Sequence, residues 1–331
     1  EPVRFVTTAK ADNFWTKVSV DATSSAVRMG ASEAPAKVQH LMLDFPRLSA
    51  ALRQIPRQAS QQFAAPSSPV PTSALTLPLP DGGTSTFHLE DSKTIPAALA
   101  ARYPALRSFR GTDSEGRRAR VDLSNDTVSV SVEDGAGAWH IVPDAKQGHA
   151  GRYDQFRRAD ADGPTEPFES EGMLNASAEM AKLASSKDRA ASNSVSGTVL
   201  YDFRFAVPTS SAYASKFGGT REAALAGVVR ATNQLNEIFE TDLGVHLTLV
   251  DKQDELIMLD PATDPFKDIT HYNATIDLMN KVVGEAGYDI GILFTDKTGG
   301  DAGTVENSCI SSPIQSIGQH KGAGWTGYEN P

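Results

Sequence analysis

The sequence predicts an α+β protein in two parts. An N-terminal, mainly antiparallel β domain is followed by an α/β unit with a mostly parallel twisted sheet, two long helices and a Gly-rich edge strand. Two observations predict this division. Between residues 74 and 159 apolar residues mostly recur with period two in short segments, some of them joined by Asp- and Gly-containing turns. After Gly197 strand-like segments alternate with helical ones, an order that implies a parallel sheet with right-handed crossovers.

The predicted domain boundaries follow from composition. Residues 1–159 form the β-rich domain, 160–196 a flexible connector and 197–331 the second unit. The connector runs from ADGPTEPFESEG to SSKDRAASNSVSG, and it holds few large apolar residues that could be buried. A similar Ser- and Pro-rich stretch covers 59–73, and the pattern around Leu174–Leu183 favours a short helix within the connector.

The N-terminal elements are predicted from alternation and turn residues. Asp81-Gly82-Gly83 and Asp134-Gly135 are typical of tight turns between antiparallel strands. A helix is expected over IPAALAARY, because Pro96 suits a first helical turn and Pro104 forbids continuation. The predicted strands cover 75–79, 86–89, 118–123, 127–133 and 138–142.

The second unit is predicted from helical periodicity and capping residues. Thr220 is suited to cap a long helix that stops at Gly244, and a second amphipathic helix stops at Gly287. Residues 288–295 are nearly all apolar, as in a strand covered on both faces. The other predicted strands cover 199–207, 245–250 and 255–259.

Charge and motifs exclude several classes of function. There are 31 Lys and Arg against 41 Asp and Glu, a net charge of -10, so no nucleic-acid partner is expected. No segment approaches the ~20 apolar residues of a membrane helix, and neither a P-loop, a G-x-G-x-x-G nor a G-x-S-x-G motif is found. The single cysteine, Cys309, allows no intrachain disulfide.

Carboxylates cluster in one stretch of the second unit. Oxygen-rich clusters of this kind suit calcium, although the spacing matches no EF-hand loop. Two interpretations therefore stand, a calcium site or solvated loop carboxylates. The residues are Asp251, Asp254, Glu255, Asp260, Asp264 and Asp268.

Residues 201–309 resemble the first part of the catalytic domain of reprolysin-type (adamalysin-like) zinc metalloproteases, members of the metzincins, most closely the bacterial secreted branch. The segments that carry the resemblance are YDFRFAVPTSSAYASKFGG, GVVRATNQLNEIFETDLGVHLTLV, DPATDP and YDIGILFTDKTGGDAGTVENSC. Upstream, LTLPLPDGGTSTFHLEDSKTIPAALAARYPALRSFRG resembles the β-rich propeptide of such enzymes. The resemblance implies a secreted or periplasmic protein whose signal peptide has been removed.

The sequence departs from this family in its catalytic motif. The family's zinc helix reads H-E-x-x-H-x-x-G-x-x-H and supplies three ligands and the general base. Here the chain runs on through SSPIQSIGQHKGAGWTGYEN to Pro331 without that motif. We therefore expect no catalytic and no metal-ligating residue in this chain, and zinc only in the complete protein. The remaining C-terminal part is a further expected partner if it exists as a separate chain. In the family, the cysteine equivalent to Cys309 commonly pairs with one beyond the zinc helix.

The resemblance implies roles for two segments. The Gly-rich segment would be an edge strand that binds polypeptide substrate by strand addition, although a plain loop is the alternative. The N-terminal domain would be an inhibitory propeptide, with Asp160 or Asp162 as a carboxylate plug, unless both belong to a solvated linker; no cysteine before 309 can act as a switch. The expected substrate-binding residues are Gly299, Gly300, Asp301, Ala302, Gly303, Thr304 and Val305.

Two hypotheses of function follow. In the first, the chain is the zymogen of a secreted zinc endopeptidase, comprising propeptide and truncated catalytic domain, and is inactive alone. In the second, it is a non-catalytic secreted inhibitor or protein-binding module derived from such a protease. Whether it is an enzyme therefore stays open.

Overall fold

The computed structural model describes residues 13–18, 37–58, 73–144, 151–160, 200–266, 272–297, 299–301, 311 and 320–327. Nearly all of both predicted connectors, the predicted helix within 174–183 and Cys309 lie outside the described residues. Contacts divide the chain into two units. The first comprises Glu1–Gln58, Ala65–Ser92 and Ala105–Gly163, and the second comprises Ala59–Ala64, Lys93–Pro104 and Pro164–Pro331.

The described residues of the first unit form a nine-stranded antiparallel sheet and one α-helix, α1, at Phe45–Arg53. The strand order is β1-β2-β9-β8-β7-β6-β5-β4-β3, and a bridge between Asn13 and Thr76 links the two ends so that the sheet is nearly closed. The strands are β1 Trp15–Lys17, β2 Gln39–Leu43, β3 Ser73–Pro78, β4 Thr84–Asp91, β5 Arg107–Thr112, β6 Arg118–Leu123, β7 Val128–Asp134, β8 Gly137–Pro143 and β9 Arg152–Arg157.

Apolar side chains at alternate positions along the strands fill the interior of this sheet. Val128, Val130 and Val132 of β7 are at most 2% exposed, while the residues between them are partly exposed. Phe87 and Trp139 join the same hydrophobic core and are fully buried. Burial of this apolar face, worth about 25 cal/mol per Å² removed from water, holds together strands that are distant in sequence.

The second unit contains a mostly parallel sheet in two hydrogen-bonded groups. One group has the order β11-β10-β12, with both pairs parallel, and the other has the order β13-β15-β14, with β13 parallel and β14 antiparallel to β15. The N–H groups of Ile292 and Phe294 donate to the carbonyls of Ala206 and Pro208, which continues the pairing from one group to the other. The strands are β10 Tyr201–Ala206, β11 Val245–Leu249, β12 Ile290–Gly291, β13 Leu293–Thr295, β14 Gly300–Asp301 and β15 Trp325–Gly327.

The described residues of the second unit form four α-helices, and their ends follow local signals. The Thr220 hydroxyl accepts from the Ala223 N–H at 3.2 Å and caps the longest helix, as predicted. That helix stops before Gly244, whose φ of +64° is the left-handed conformation expected there. The helices are α2 Ala97–Arg102, α3 Ser211–Lys216, α4 Arg221–Asp242 and α5 Asn273–Val282.

Two predictions for this unit were wrong in detail. Residues 255–259 form no strand: Gln253–Leu256 is a 3₁₀ turn, and only Ile257 bridges to Thr209. The reason is that the buried Gln253 amide bonds both backbone groups of Val207, at 3.0 and 2.6 Å, and so replaces strand pairing there. The second predicted long helix, α5, has only 10 residues and ends before Gly287, because Glu285–Gly287 forms a separate 3₁₀ turn.

The fold class is thus mixed α/β, with a large antiparallel sheet and few helices. In the described part of the chain, no helix has both the length and the apolar character needed to cross a membrane.

Candidate functional site

The candidate site is the last strand of the sheet in the second unit. Gly300 and Asp301 of β14 pair antiparallel with Thr326 and Trp325 of β15. Among the described residues β14 ends the strand order β13-β15-β14, and Asp301 is exposed. A strand in this position is where an extended peptide can join a sheet.

Glycines bring the backbones at this edge unusually close together. The Gly327 N–H donates to the Gly299 carbonyl at 2.6 Å, and Gly299 has a φ of +101°, which is unfavourable for residues with a side chain. A Cβ at Gly300 would lie 2.9 Å from the Trp325 carbonyl oxygen, and one at Gly327 would overlap the Lys297 carbonyl. The Gly-rich composition is therefore required by this backbone arrangement.

The structure describes only part of the predicted substrate-binding segment. Gly299, Gly300 and Asp301 lie at this edge, whereas the predicted residues 302–305 lie outside the described residues. Of the two predicted plug residues, Asp160 ends the 3₁₀ turn Arg158–Asp160 in the first unit, and Asp162 is not described. Their proposed roles stay predictions.

Helix α5 supports the neighbouring strands through one side chain. A Cβ at Gly291 would lie 2.5 Å from the sulfur of Met279, and one at Gly322 would overlap the Met279 methyl group. Met279 is fully buried in a cluster with Ala206 and Tyr288. Two glycines thus make the space in which one methionine packs.

A buried polar cluster precedes β15, and sequence reasoning did not identify it. The Lys321 ammonium donates to the carbonyls of Glu285 and Tyr288 at 2.5 and 2.8 Å and lies 4.5 Å from the centre of the Tyr288 ring. The Lys321 carbonyl in turn accepts from the Gly291 N–H at 2.8 Å. These bonds fix the position of the segment that leads into β15. No local sequence motif predicts them, because the bonded residues lie 30 or more positions apart.

His320 belongs to the same cluster and is fully buried. Its Nδ1 accepts from the Gly322 N–H at 3.0 Å, so the proton of the neutral ring is on Nε2, which lies 3.6 Å from a carboxylate oxygen of Glu285. Burial lowers the pKa of His320 and outweighs the opposing effect of Glu285. The imidazole is therefore held neutral at physiological pH.

The carboxylates of the predicted acidic cluster are distributed among different protein partners. Asp264 accepts from the N–H and hydroxyl of Ser211, both at 2.7 Å, and from the Phe266 N–H at 2.8 Å. Asp260 accepts from the Ala262 N–H within its own turn, and Asp254 binds Arg102 at 2.6 Å. Asp268 lies outside the described residues. The calcium interpretation gains no support from these contacts.

The described residues also do not fit a zinc site. No group of three or more His, Cys, Asp or Glu side chains capable of holding a metal ion occurs among them. The sequence contains no H-E-x-x-H motif, the arrangement that places two imidazoles on one helical face. We therefore derive no step through zinc from this chain's residues.

The geometry defines an α/β unit whose mostly parallel sheet ends in an antiparallel, glycine-rich edge strand. Residues 201–327, which hold this sheet, match the family model described as metallo-peptidase family M12B, reprolysin-like. The match covers less than half of the chain and supports a reprolysin-like metallopeptidase domain, a family that is generally zinc-dependent. No curated protein matches the chain.

Proposed function

We propose that the chain is part of the zymogen of a secreted zinc-dependent endopeptidase. Its N-terminal sheet unit is the propeptide, and residues 201–327 form the part of the catalytic domain that positions polypeptide substrate. The observation that carries this proposal is β14, the antiparallel edge strand within the segment that matches the M12B family. The family match supports the protease class, and secretion and the zymogen state are our extension of it.

The proposed role of the edge is to hold substrate in an extended conformation. Peptides that add to a sheet gain affinity from main-chain hydrogen bonds and specificity from pockets for alternate side chains. Within the proposed binding segment 299–305, Gly300 and Asp301 form β14, and the close packing of Gly300 and Gly327 on their neighbours fixes its position. The hydrolytic groups themselves are not among these residues, so the 331-residue chain is inactive alone.

The N-terminal unit acts as inhibitor and folding aid until the chain is cut in the connector. Asp160 or Asp162 is the proposed carboxylate plug for the metal of the complete enzyme. Residues 1–308 contain no cysteine, so a thiolate from within this stretch is not the proposed inhibitory group.

A protease assay tests the inactivity. The purified chain should bind no zinc stoichiometrically by elemental analysis and should not hydrolyse casein. Chelator-sensitive hydrolysis by the chain would show that this assignment of the missing groups is wrong. Adding the sequence that the gene encodes after Pro331 should restore activity if it contains H-E-x-x-H.

Peptide binding tests the edge strand. A fluorescent extended peptide should bind the chain, and the same peptide N-methylated at alternate residues should bind at least tenfold more weakly, because it lacks donors for the sheet. Gly300→Val should weaken binding as well, since its Cβ would press on the Trp325 carbonyl. Equal binding of both peptides would contradict strand addition.

The alternative is a non-catalytic inhibitor or protein-binding module. The observation behind it is that residues 1–331 contain an edge strand but no H-E-x-x-H. It retains the same edge strand and predicts peptide binding without hydrolysis under any metal supplement. Reading the gene beyond Pro331 separates the two proposals, because the zymogen requires H-E-x-x-H there.

A further inference from the structure

A short segment of the N-terminal half is built into the second unit. Residues 93–104, the anchor segment, lie in sequence between β4 and β5 of the first unit's sheet. By their contacts they belong with Pro164–Pro331 in the second unit. The segment contains α2, and its Ile95 and Leu99 are 8% and 0% exposed.

The anchor segment completes the outer edge of β11. The Leu249 N–H donates to the Thr94 carbonyl at 3.0 Å. Two residues earlier, the Leu247 N–H donates to Oδ1 of Asn236 at 2.7 Å, and Nδ2 of Asn236 donates to the Leu247 carbonyl at 3.0 Å. The Asn236 amide also reaches the Thr94 hydroxyl at 3.3 Å, so the helix and the anchor segment close this edge together.

A charged contact holds the other end of the segment. The Arg102 guanidinium binds both carboxylate oxygens of Asp254, at 2.6 and 3.3 Å, and donates to the Asp251 carbonyl at 2.5 Å. The Tyr103 hydroxyl donates to the same carboxylate at 3.1 Å. Burial alone would raise the pKa of Asp254, but the hydrogen bonds from Arg102 and Tyr103 outweigh it and lower the pKa.

The entry to the segment is strained. Lys93 has a φ of +64° and is the one described non-glycine residue with positive φ. A residue with a side chain keeps this conformation only where its surroundings impose it. The fixed positions of Thr94 and Arg102 on the second unit are such a constraint.

We propose that the anchor segment is a docking element that keeps residues 1–160 bound non-covalently to residues 200–331 after the chain is cut between them. The segment occupies the β11 edge, at the other end of the sheet from β14, so its binding leaves the proposed substrate edge uncovered by the segment itself. The inference does not depend on peptidase activity. Cutting the connector would then break the covalent link without releasing the N-terminal half.

A nicked full-length chain tests the proposal. A site-specific protease sequence is placed within 174–183, the chain is cut, and the two pieces are followed by size exclusion and native mass spectrometry. We expect one-to-one co-elution at micromolar concentration. Arg102→Ala should raise the dissociation constant about 10- to 100-fold, because it removes charge-assisted bonds to a buried carboxylate. Tyr103→Phe should raise it about threefold to tenfold.

Arg204→Ala is the matched control. Arg204 pairs with Asp289 at 2.7 Å, and both residues belong to the piece 200–331, so this ion pair stays within one piece when the chain is cut. Hydrogen exchange on each uncut variant provides a second measurement that does not need the nick. The Leu249 amide should be protected in the wild-type protein and exchange faster in Arg102→Ala, while amides of β6 and β7 stay protected.

Three results would overturn the proposal. One is separation of the nicked wild-type pieces at micromolar concentration and low salt. Another is a folded Arg102→Ala or Tyr103→Phe variant with wild-type affinity. The third is weakening by Arg204→Ala as large as that by Arg102→Ala.

Discussion

The buried amide of Asn236 should contribute more to the stability of the second unit than any single exposed side-chain contact does. We consider Asn236→Leu, which preserves approximate side-chain size in a fully buried position. The change removes the acceptor of the Leu247 N–H and the donor to the Leu247 carbonyl. Each buried backbone group left unpaired costs about 1–3 kcal/mol, so the expected loss is about 2–6 kcal/mol against a typical total of 5–15 kcal/mol.

Asn236→Asp distinguishes the contributions of the two hydrogen bonds, because it keeps the acceptor and removes the donor. The carboxylate still accepts from the Leu247 N–H but faces the Leu247 carbonyl with an oxygen. Only the protonated acid can donate there, so burial should raise the pKa of this new carboxyl group above its unfolded value. Its folded state then binds more protons than the unfolded state, and stability should be highest at low pH and fall as pH rises through the interval above about 4.

Local hydrogen exchange is the appropriate assay, because two units need not unfold together. The free energy of opening is read from peptides covering 245–250 in the full-length protein. Ile238→Ala is the control, since Ile238 lies on the same helix and is 52% exposed. A folded Asn236→Leu variant that loses less than about 1 kcal/mol, with the Leu247 amide still protected, would refute this reasoning about the buried pair.

Three further predictions concern the second unit. His320→Gln should reduce the loss of thermal stability that the wild-type protein shows between about pH 7 and pH 5. Burial lowers the pKa of His320 in the folded state, so as pH drops the unfolded state binds the proton first and wild-type stability falls. An unchanged pH profile in the variant would contradict this. Gly291→Ala should cost about 1–3 kcal/mol by urea unfolding, because the new Cβ meets the Met279 sulfur; no loss would show that Met279 can move aside. Lys93→Gly should stabilise the chain by about 0.5–1 kcal/mol through relief of positive φ, and an equal gain in Lys93→Ala would exclude that cause.

Local signals in the sequence predicted the elements whose ends are set by adjacent residues. Thr220 and Gly244 mark both ends of α4, and strand 118–123 coincides with β6. These features depend on capping, on positive φ and on alternation over a few residues. They need no knowledge of distant partners.

The missed elements are those whose pattern depends on distant partners. β5 was not predicted, because Arg107 and Ser108 are polar yet only 5% and 3% exposed. Arg107 donates to the Ile55 carbonyl at 2.6 Å, and Ser108 donates to Asp122 at 2.6 Å, so their burial is satisfied by residues from other segments. The strand β2 pairs with β9 more than 100 residues later, which alternation within a short window cannot indicate.

The candidate site was predictable in part for the same reason. A Gly-rich segment after a buried strand indicates an edge, and Gly300–Asp301 forms one. The features that fix its surroundings are long-range: Lys321 reaches the carbonyls of Glu285 and Tyr288, and Thr94 reaches β11 from the N-terminal half. Sequence reasoning assigned Asp254 to a calcium cluster or a solvated loop because its actual partner, Arg102, lies 152 positions earlier.

The two ends of the sheet in the second unit should therefore behave differently towards other chains. At β11, the backbone groups of Leu247 and the N–H of Leu249 are bonded to Asn236 and Thr94, so this edge offers little to an added strand. Unprotected edge strands promote pairing with other chains. Asn236→Leu should expose the β11 edge and produce concentration-dependent dimers by sedimentation velocity, and Gly300→Val, at the other end, should not. Equal dimer formation by both variants would contradict the inference that Asn236 protects the β11 edge.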